Sequence, residues 1–430
     1  MNMIYFKNLT MEKAPILPLV ENLNNSWNFI GNDGSTFYFQ TDKDASRGKI
    51  VKVDVLAKDK VWKDVISETI DTLNGVQFVN NQFVLNYLMD AHTVIRIFDT
   101  TGKPVRDVAL PGIGSAGGFG GKRSDSETFY TYSSFNAPPT IYRYDMKSGK
   151  STLFREAKVK FNAADFVVQE VFYTSKDGKT KVPMFLTYKK GLKLDGSNPT
   201  ILYGYGGFNI PTTPGFSAAR IAWLEMGGIY ASACIRGGSE YGKDWWKGGS
   251  RLNKQNVFDD FAWAGKWLIE NKYTSTPKLA IQGGSNGGLL VGATLNQNPG
   301  LFGAAIPQVG VMDMLRFDKF TIGWAWRSDY GDPTNADDFK AMYAYSPYHN
   351  AKPGTKYPPT LVTTADHDDR VFPAHSFKYT AAMQNAQAGD APVLIRIQVR
   401  GGHGAGLPTA LQIEQQADIY GFLVKSLGMK

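Results

Sequence analysis

Residues 279–291 read LAIQGGSNGGLLV, an apolar run, a turn crowded with glycine and a second apolar run. The pattern predicts a strand, a sharp turn and a helix, with Ser285 at the apex and Gly283 and Gly287 on either side. Glycines without a Cβ atom let strand and helix approach closely, while the serine takes a strained conformation. G-x-S-x-G in this setting is typical of the nucleophile elbow of α/β hydrolases, although an ordinary glycine-rich turn has the same letters.

A serine nucleophile needs a base, and the base needs an acid that orients it. In α/β hydrolases the chain order is serine, acid, histidine. Residues 357–364 and 393–399 each read as a buried strand, and His403 follows the second one in a loop flanked by glycines. Open α/β sheets place their sites beyond the carboxyl ends of strands. His403 is therefore the candidate base.

Three acids follow the first of these strands and compete for the orienting role: Asp366, Asp368 and Asp369. Their spacing does not separate them. With His367 the cluster also looks like a metal site, but no second histidine or cysteine stands at ligand spacing. We therefore expect neither a metal nor another cofactor.

Five motifs together resemble the prolyl oligopeptidase family of serine peptidases, densely from about residue 159 to 430 and more loosely before residue 150. They are Tyr203-Gly204-Tyr205-Gly206-Gly207-Phe208, Ile235-Arg236-Gly237-Gly238-Ser239-Glu240-Tyr241-Gly242, Gly283-Gly284-Ser285-Asn286-Gly287-Gly288, Asp366-His367-Asp368-Asp369-Arg370-Val371 and Gly402-His403-Gly404-Ala405-Gly406.

The resemblance implies a role for each matching residue of the catalytic site. Ser285 is implied as the nucleophile, His403 as the general base and Asp368 as the acid that orients it. The backbone N–H of Asn286 and the phenol of Tyr205 are implied as the donors to the oxyanion. From the residues alone, the favoured interpretation of Tyr205 is a core aromatic under a glycine-rich turn.

The resemblance also implies a pocket for the proline ring of a substrate. The implied lining residues are Trp326, Phe208, Tyr330, Val311 and Val371. A flat indole face suits the flat, apolar pyrrolidine ring. Trp324 lies two residues from Trp326, and without the resemblance either tryptophan could be plain core. Arg370 is implied to hydrogen-bond a substrate carbonyl; a salt bridge to Asp368 or Asp369 is the alternative.

The chain is predicted to consist of two domains, 1–155 and 156–430. The first contains short runs typical of β-hairpins, at 27–30, 36–40, 49–55, 82–87, 92–98, 128–132 and 140–145, and their spacing indicates a partial β-propeller of about three blades. In the second, strands alternate with helices, among them a helix with Val257, Phe261, Ala264 and Leu268 on one face. This alternation predicts a doubly wound, mostly parallel sheet, the α/β-hydrolase fold.

One motif in the first region points elsewhere. Residues 112–117 spell G-x-G-x-x-G, a pattern of dinucleotide-binding sites. Such a site requires a helix directly after the glycines. Residues 118–125 are not helical in character, so we interpret the stretch as a loop between blades.

Composition agrees with a soluble enzyme. The chain has 430 residues, 43% of them hydrophobic, and a net charge of +8 that forms no long basic run. We therefore expect no nucleic-acid partner. No apolar stretch is long enough for a membrane span, and the first residues lack the pattern of a signal peptide. A cytoplasmic and a periplasmic location both remain open, as does the oligomeric state.

The expected function is a serine endopeptidase that hydrolyses short peptides on the carboxyl side of proline through an acyl-enzyme. Members of the family carry a seven-bladed propeller and an N-terminal segment that completes the hydrolase domain, so the chain is expected to be truncated at its N-terminus. The alternatives are a dipeptidyl peptidase or an esterase of the same fold, and a non-catalytic propeller-type binding protein.

Overall fold

A computed structural model describes residues 1–404 and 406–429. Ala405, part of the glycine loop expected around His403, lies outside the described residues. The chain forms two compact units, Met1–Lys158 with Glu240–Asp244, and Val159–Ser239 with Trp245–Lys430. The predicted domain boundary after residue 155 remains a prediction.

The first unit is built from antiparallel strands. They are β1 (Ile4–Phe6), β2 (Leu17–Val20), β3 (Trp27–Asp33), β4 (Thr36–Thr41), β5 (Lys49–Asp54), β6 (Lys63–Ile66), β7 (Thr72–Val79), β8 (Gln82–Met89), β9 (His92–Asp99), β10 (Pro104–Val108), β11 (Ser115–Gly120), β12 (Glu127–Ser134), β13 (Ala137–Asp145) and β14 (Ser151–Arg155). Over the described residues, β3–β6, β7–β10 and β11–β14 each form a four-stranded sheet in chain order, and β1 pairs with β2. This up-and-down order is the architecture of a propeller blade.

The stretch 112–117 is not a loop throughout, which corrects the interpretation from sequence. Ser115–Gly120 is strand β11 of the third sheet. Its glycines conceal the alternation expected of a strand, but Ala116 and Phe119 are buried, and the ring of Phe119 stacks on that of Tyr130 with centroids 4.7 Å apart. Strand β12 follows it, so the helix that a dinucleotide site requires is replaced by a strand.

The second unit is a sheet covered by helices. Its strands are β15 (Phe166–Thr174), β16 (Lys181–Lys189), β17 (Thr200–Tyr203), β18 (Ile229–Ala233), β19 (Leu279–Gly284), β20 (Ala304–Gln308), β21 (Thr360–Ala365) and β22 (Val393–Gln398). Its helices are α1 (Ala218–Glu225), α2 (Lys243–Lys247), which begins in the first unit, α3 (Gln255–Glu270), α4 (Asn286–Gln297), α5 (Arg327–Tyr330), α6 (Ala336–Tyr345), α7 (Ala374–Ala386) and α8 (Thr409–Ser426).

The order of this sheet brings the candidate site together. Across the described residues it is β15-β16-β18-β17-β19-β20-β21-β22. In this spatial order β18 and all the strands after it, β17 included, run parallel. Strands β19, β21 and β22 therefore end at the same edge. The segments that carry Ser285, Asp368 and His403 leave the sheet at that edge.

Local patterns explain these elements. The predicted helix is confirmed as α3, and Val257, Phe261, Ala264 and Leu268 are all buried. The predicted strand at 357–364 begins later, at Thr360. Pro358 and Pro359 have no N–H to donate to a ladder, which accounts for the delay. Within the described chain, no helix combines the length and apolar character needed to cross a bilayer.

Candidate active site

Ser285 occupies a strained turn between β19 and α4. Its backbone has φ 58° and ψ −119°, outside the regions that L-residues ordinarily adopt. The Ser285 N–H donates to the carbonyl of Gln308, 2.9 Å away. A Cβ atom on Gly283 would lie 2.4 Å from the carbonyl oxygen of Gly287, and one on Gly287 would lie 2.7 Å from that of Gly204. Close backbone packing on both sides therefore holds the turn.

Asp368 is in contact with His403. Its Oδ2 lies 2.6 Å from Nδ1 of His403, and its Oδ1 accepts hydrogen bonds from the backbone N–H groups of Arg370 (3.0 Å) and Val371 (2.9 Å). Asp368 is buried, with 1% of its surface exposed. Both carboxylate oxygens are thus occupied, and Oδ2 faces the imidazole.

The other two acids of the cluster lie elsewhere. Asp366 is exposed and pairs with its neighbour His367 at 2.7 Å. Asp369 is exposed as well. The structure therefore brings one of the three candidate acids, Asp368, to His403.

The two proposed oxyanion donors meet beside Ser285. Asn286 is the first residue of α4 and is buried, and its side-chain Nδ2 donates to the backbone carbonyl of Tyr205 at 2.5 Å. Burial raises the pKa of the Tyr205 phenol, and the carboxylate of Asp329 raises it further, whereas a hydrogen bond with Ser285 and the charge of Arg370 lower it. The phenol is therefore protonated at neutral pH and lies next to the serine hydroxyl.

The loop that carries Tyr205 packs tightly against α4. A Cβ atom on Gly207 would lie 2.6 Å from Nδ2 of Asn286. Gly206 has φ +64°, and Phe208, which is not a glycine, has φ 60°. The loop thus stores backbone strain at Phe208, which other groups must offset.

Three of the aromatic residues predicted to line a proline pocket lie in contact with one another. Phe208, Trp326 and Tyr330 meet edge to face, with centroids 5.4 Å apart for Phe208 and Tyr330 and 6.4 Å apart for each pair that includes Trp326. Val311 and Val371 are buried in the same hydrophobic core, and Phe208 and Trp326 pack against it. Trp324 is 64% exposed.

Arg370 is an exposed residue next to the buried Asp368. Its backbone N–H binds Asp368, and its carbonyl accepts a hydrogen bond from Oγ1 of Thr321 at 3.0 Å. Its charge acts on the Tyr205 phenol. Its role in binding a substrate carbonyl remains a prediction.

A buried ion pair beside the loop at residues 205–208 was not predicted from the sequence. Lys254 Nζ and Asp329 Oδ2 lie 2.9 Å apart, and each side chain is 1% exposed. The two residues are far apart in sequence, and no local pattern links them. The position of Asp329, directly before Tyr330 of the predicted pocket, was the one available signal.

Comparisons with known proteins give matches to two family models and to proteins of similar sequence. The family described as "Prolyl oligopeptidase family" matches residues 214–430, and "Prolyl oligopeptidase, N-terminal beta-propeller domain" matches residues 1–157. A prolyl endopeptidase of Elizabethkingia miricola is 47% identical over all of this chain, and the prolyl oligopeptidase ophP of Omphalotus olearius is 43% identical over 95% of it. The chain spans 61% and 56% of the length of these two relatives.

Solved structures show the same similarity. One from a structural and mechanistic study of two prolyl endopeptidases superposes with a TM-score of 0.95 at 41% identity, covering 100% of this chain and 63% of that one. Prolyl oligopeptidase B from Galerina marginata, bound to a 35-residue hydrolysis and macrocyclization substrate, superposes with a TM-score of 0.94 at 36% identity and covers 100% of this chain and 62% of its own. These matches confirm the predicted fold class, an α/β hydrolase with a mostly parallel sheet preceded in the chain by a partial β-propeller.

Proposed function

The chain belongs to the prolyl oligopeptidase family, and from this premise we propose that it is a serine endopeptidase that hydrolyses short peptides on the carboxyl side of proline. The observation that carries the catalytic part is the 2.6 Å contact between buried Asp368 and His403, on the same sheet edge as strained Ser285. A cofactor has no part in this chemistry.

Acylation begins when Ser285 attacks the carbonyl carbon of the substrate's proline. His403 accepts the hydroxyl proton at Nε2, because its Nδ1 faces Asp368. Asp368 keeps the imidazole in that orientation and stabilises the imidazolium that forms. His403 then protonates the leaving amine, and the acyl chain remains on Ser285 as an ester.

The negative charge of the tetrahedral intermediate falls between two donors. The backbone N–H of Asn286, at the N-terminus of α4, is one, and the protonated phenol of Tyr205 is the other. Removing one such donor typically costs about 2.7–4 kcal/mol of transition-state stabilisation. Water then attacks the ester with His403 again as the base, and the peptide that ends in proline is released.

Preference for proline comes from the aromatic pocket. Phe208 and Trp326 are half-buried and pack edge to face with each other and with the buried Tyr330, so that they offer apolar ring surface to a flat apolar group. Contact between the proline ring and these side chains buries apolar surface, which stabilises the bound substrate. Arg370, exposed beside Tyr205, is the donor for a carbonyl further along the substrate.

The test is the hydrolysis of an N-blocked Gly-Pro amide, compared with an N-blocked Gly-Ala amide, a free-amine Gly-Pro amide and a simple acyl ester. We expect the kcat/KM for the blocked prolyl amide to exceed that for the alanyl amide by at least about 100-fold. This ratio lies in the upper part of the range of about 10- to 200-fold that apolar pockets typically achieve. Turnover of the ester alone would show an esterase instead. Strict dependence on the free amine would show a dipeptidyl peptidase.

A further inference from the structure

Lys254 contacts both structures that carry the proposed oxyanion donors. It lies just before α3, and its buried Nζ donates to the backbone carbonyl of Gly206 (3.0 Å), to Oδ1 of Asn286 (3.2 Å) and to Asp329 (2.9 Å). Gly206 follows Tyr205 directly and has a positive φ. One ammonium group therefore holds the loop of one donor and the side chain of the other.

Asp329 fixes the pocket end of the same loop. Its Oδ1 accepts hydrogen bonds from the backbone N–H of Phe208 (2.8 Å) and from Nε1 of Trp246 (2.8 Å). Phe208 is the residue with the strained positive φ. The carboxylate thus stabilises a conformation that the backbone alone would disfavour.

Tyr330 closes the network from the pocket side. Its hydroxyl donates to Oδ1 of Asn286 at 3.0 Å, and Nζ of Lys254 lies 5.2 Å from the centre of its ring. Tyr330 is itself 1% exposed. The side-chain amide of Asn286 therefore makes three hydrogen bonds. Its Oδ1 accepts from Lys254 and from Tyr330, and its Nδ2 donates to the backbone carbonyl of Tyr205.

We propose that the Lys254–Asp329 pair positions the oxyanion site and couples it to the proline pocket. This inference rests on the proposed function. Both are positioning residues, since they act through Asn286, Tyr205 and Phe208. Lys254 has a second effect: it neutralises a carboxylate that would otherwise stand uncompensated near the developing oxyanion.

The two charges predict unequal kinetic effects. Lys254→Met leaves the Asp329 carboxylate unpaired beside the oxyanion site, so kcat for the blocked prolyl amide should fall by about 100-fold with little change in KM, a loss of the size seen when an oxyanion donor is removed. Asp329→Asn keeps an oxygen for Phe208 and Trp246 and leaves a positive charge, which does not oppose the oxyanion. We expect its kcat to fall by less than about 10-fold.

The double variant Lys254→Met/Asp329→Asn separates charge from packing. With both charges removed, its kcat should exceed that of Lys254→Met by about 10-fold, which would be rescue. Where Lys254→Met alone does not fold, the double variant should lie within about 10-fold of Asp329→Asn. A double variant slower than these limits would overturn the proposal.

A matched control is available on α3. Asp260 is fully buried and pairs with Arg236 at 2.6 Å, and its other hydrogen bonds outside the helix ladder are to Ser175 and Tyr173. Asp260→Asn should lower the midpoint of thermal unfolding. It should keep kcat within about 2-fold of wild type, because Asp260 shares no hydrogen-bond partner with the Lys254–Asp329 pair among the described residues. A loss of kcat equal to that of Lys254→Met would mean that removing any buried pair suffices, and would overturn the proposal.

Two further outcomes separate this inference from the function on which it rests. Wild-type turnover that Ser285→Ala abolishes, combined with an unchanged kcat in Lys254→Met, would overturn the positioning role and leave the function intact. Absence of turnover in the wild-type chain would overturn both.

Discussion

Two neighbouring carboxylates, Asp368 and Asp369, have the same chemistry but differ in burial and in their contacts. Asp368 is buried and holds His403 at 2.6 Å, whereas Asp369 is exposed. We expect Asp368→Asn to lower kcat by about 10⁴-fold, because the amide favours the wrong imidazole tautomer. Asp369→Asn should stay within about 3-fold of wild type, as is usual for an exposed position. Steady-state hydrolysis of the blocked prolyl amide measures both, and a larger loss in Asp369→Asn would refute the assignment.

Trp326 and Trp324 form a second matched pair. Trp326 meets Phe208 and Tyr330 at the pocket, while Trp324 is 64% exposed. Trp326→Ala should lower kcat/KM for proline substrates by at least about 10-fold through lost ring contacts. Trp324→Ala should change it by less than about 2-fold, since it leaves the pocket rings in place. Equal losses in the two variants would remove Trp326 from the pocket.

At the scale of elements, the close packing of the strand–turn–helix around Ser285 requires a glycine at position 283 but not at position 284. A Cβ atom on Gly283 would lie 2.4 Å from the carbonyl oxygen of Gly287, whereas one on Gly284 would meet nothing within 4 Å. Gly283→Ala should therefore destabilise the second unit by about 1–3 kcal/mol, and Gly284→Ala by less than about 1 kcal/mol. Chemical denaturation of the two variants measures the difference. Equal free energies of unfolding would show that the turn can relax.

The same element shows what could be predicted from the sequence. Strand β19, the turn and helix α4 follow from the apolar runs and the spacing of the glycines, and helix α3 follows from its buried face. Strand β11 was missed, because several of its residues are glycines, which have no side chain and so show no alternation of apolar and polar residues. From the residues alone Asp368 could not be distinguished from Asp366 and Asp369, because all three have the same chemistry and follow the same strand. The resemblance pointed to Asp368, and its contact with His403 could be seen only in the structure.

The Lys254–Asp329 pair lay beyond sequence reasoning for a different reason. A charged residue next to a predicted helix is usually solvated, and burial of both partners depends on how α3 and α5 pack around the loop at residues 205–208. Long-range packing of this kind leaves no periodic signal in the sequence. The Lys254–Asp329 pair could therefore be identified only from the distance between the two side chains in the structure.

At the scale of the whole molecule, stability should depend on pH through His375 on α7. The pKa of His375 is lowered to about 4, mainly because the ring is buried; the negative charges of Asp313 and Asp368 oppose this shift, and the positive charge of Lys378 adds to it. Its Nδ1 accepts the backbone N–H of Asp313 at 3.1 Å, which requires the neutral ring. The unfolded chain takes up the proton near pH 6.5 and the folded chain only near pH 4, so stability present above pH 6.5 is lost as the pH falls through this window.

This loss should amount to about 3 kcal/mol between pH 6.5 and pH 4. His375→Asn keeps an acceptor for the Asp313 N–H but does not titrate, so its unfolding free energy should fall less steeply with pH than that of wild type. Denaturation curves at several pH values compare the slopes. Parallel slopes in the two proteins would show that His375 is protonated in the fold or titrates alike in both states.

The central claim, that Ser285 is the nucleophile of a peptidase, is tested most directly by fluorophosphonate labelling of the 430-residue chain followed by peptide mapping. The account predicts one equivalent of label on Ser285 and loss of prolyl-amide turnover in proportion to labelling. Ser285→Ala should take up no label and hydrolyse no prolyl amide while keeping the wild-type unfolding midpoint. Label on another residue, or turnover that survives full labelling of Ser285, would contradict it.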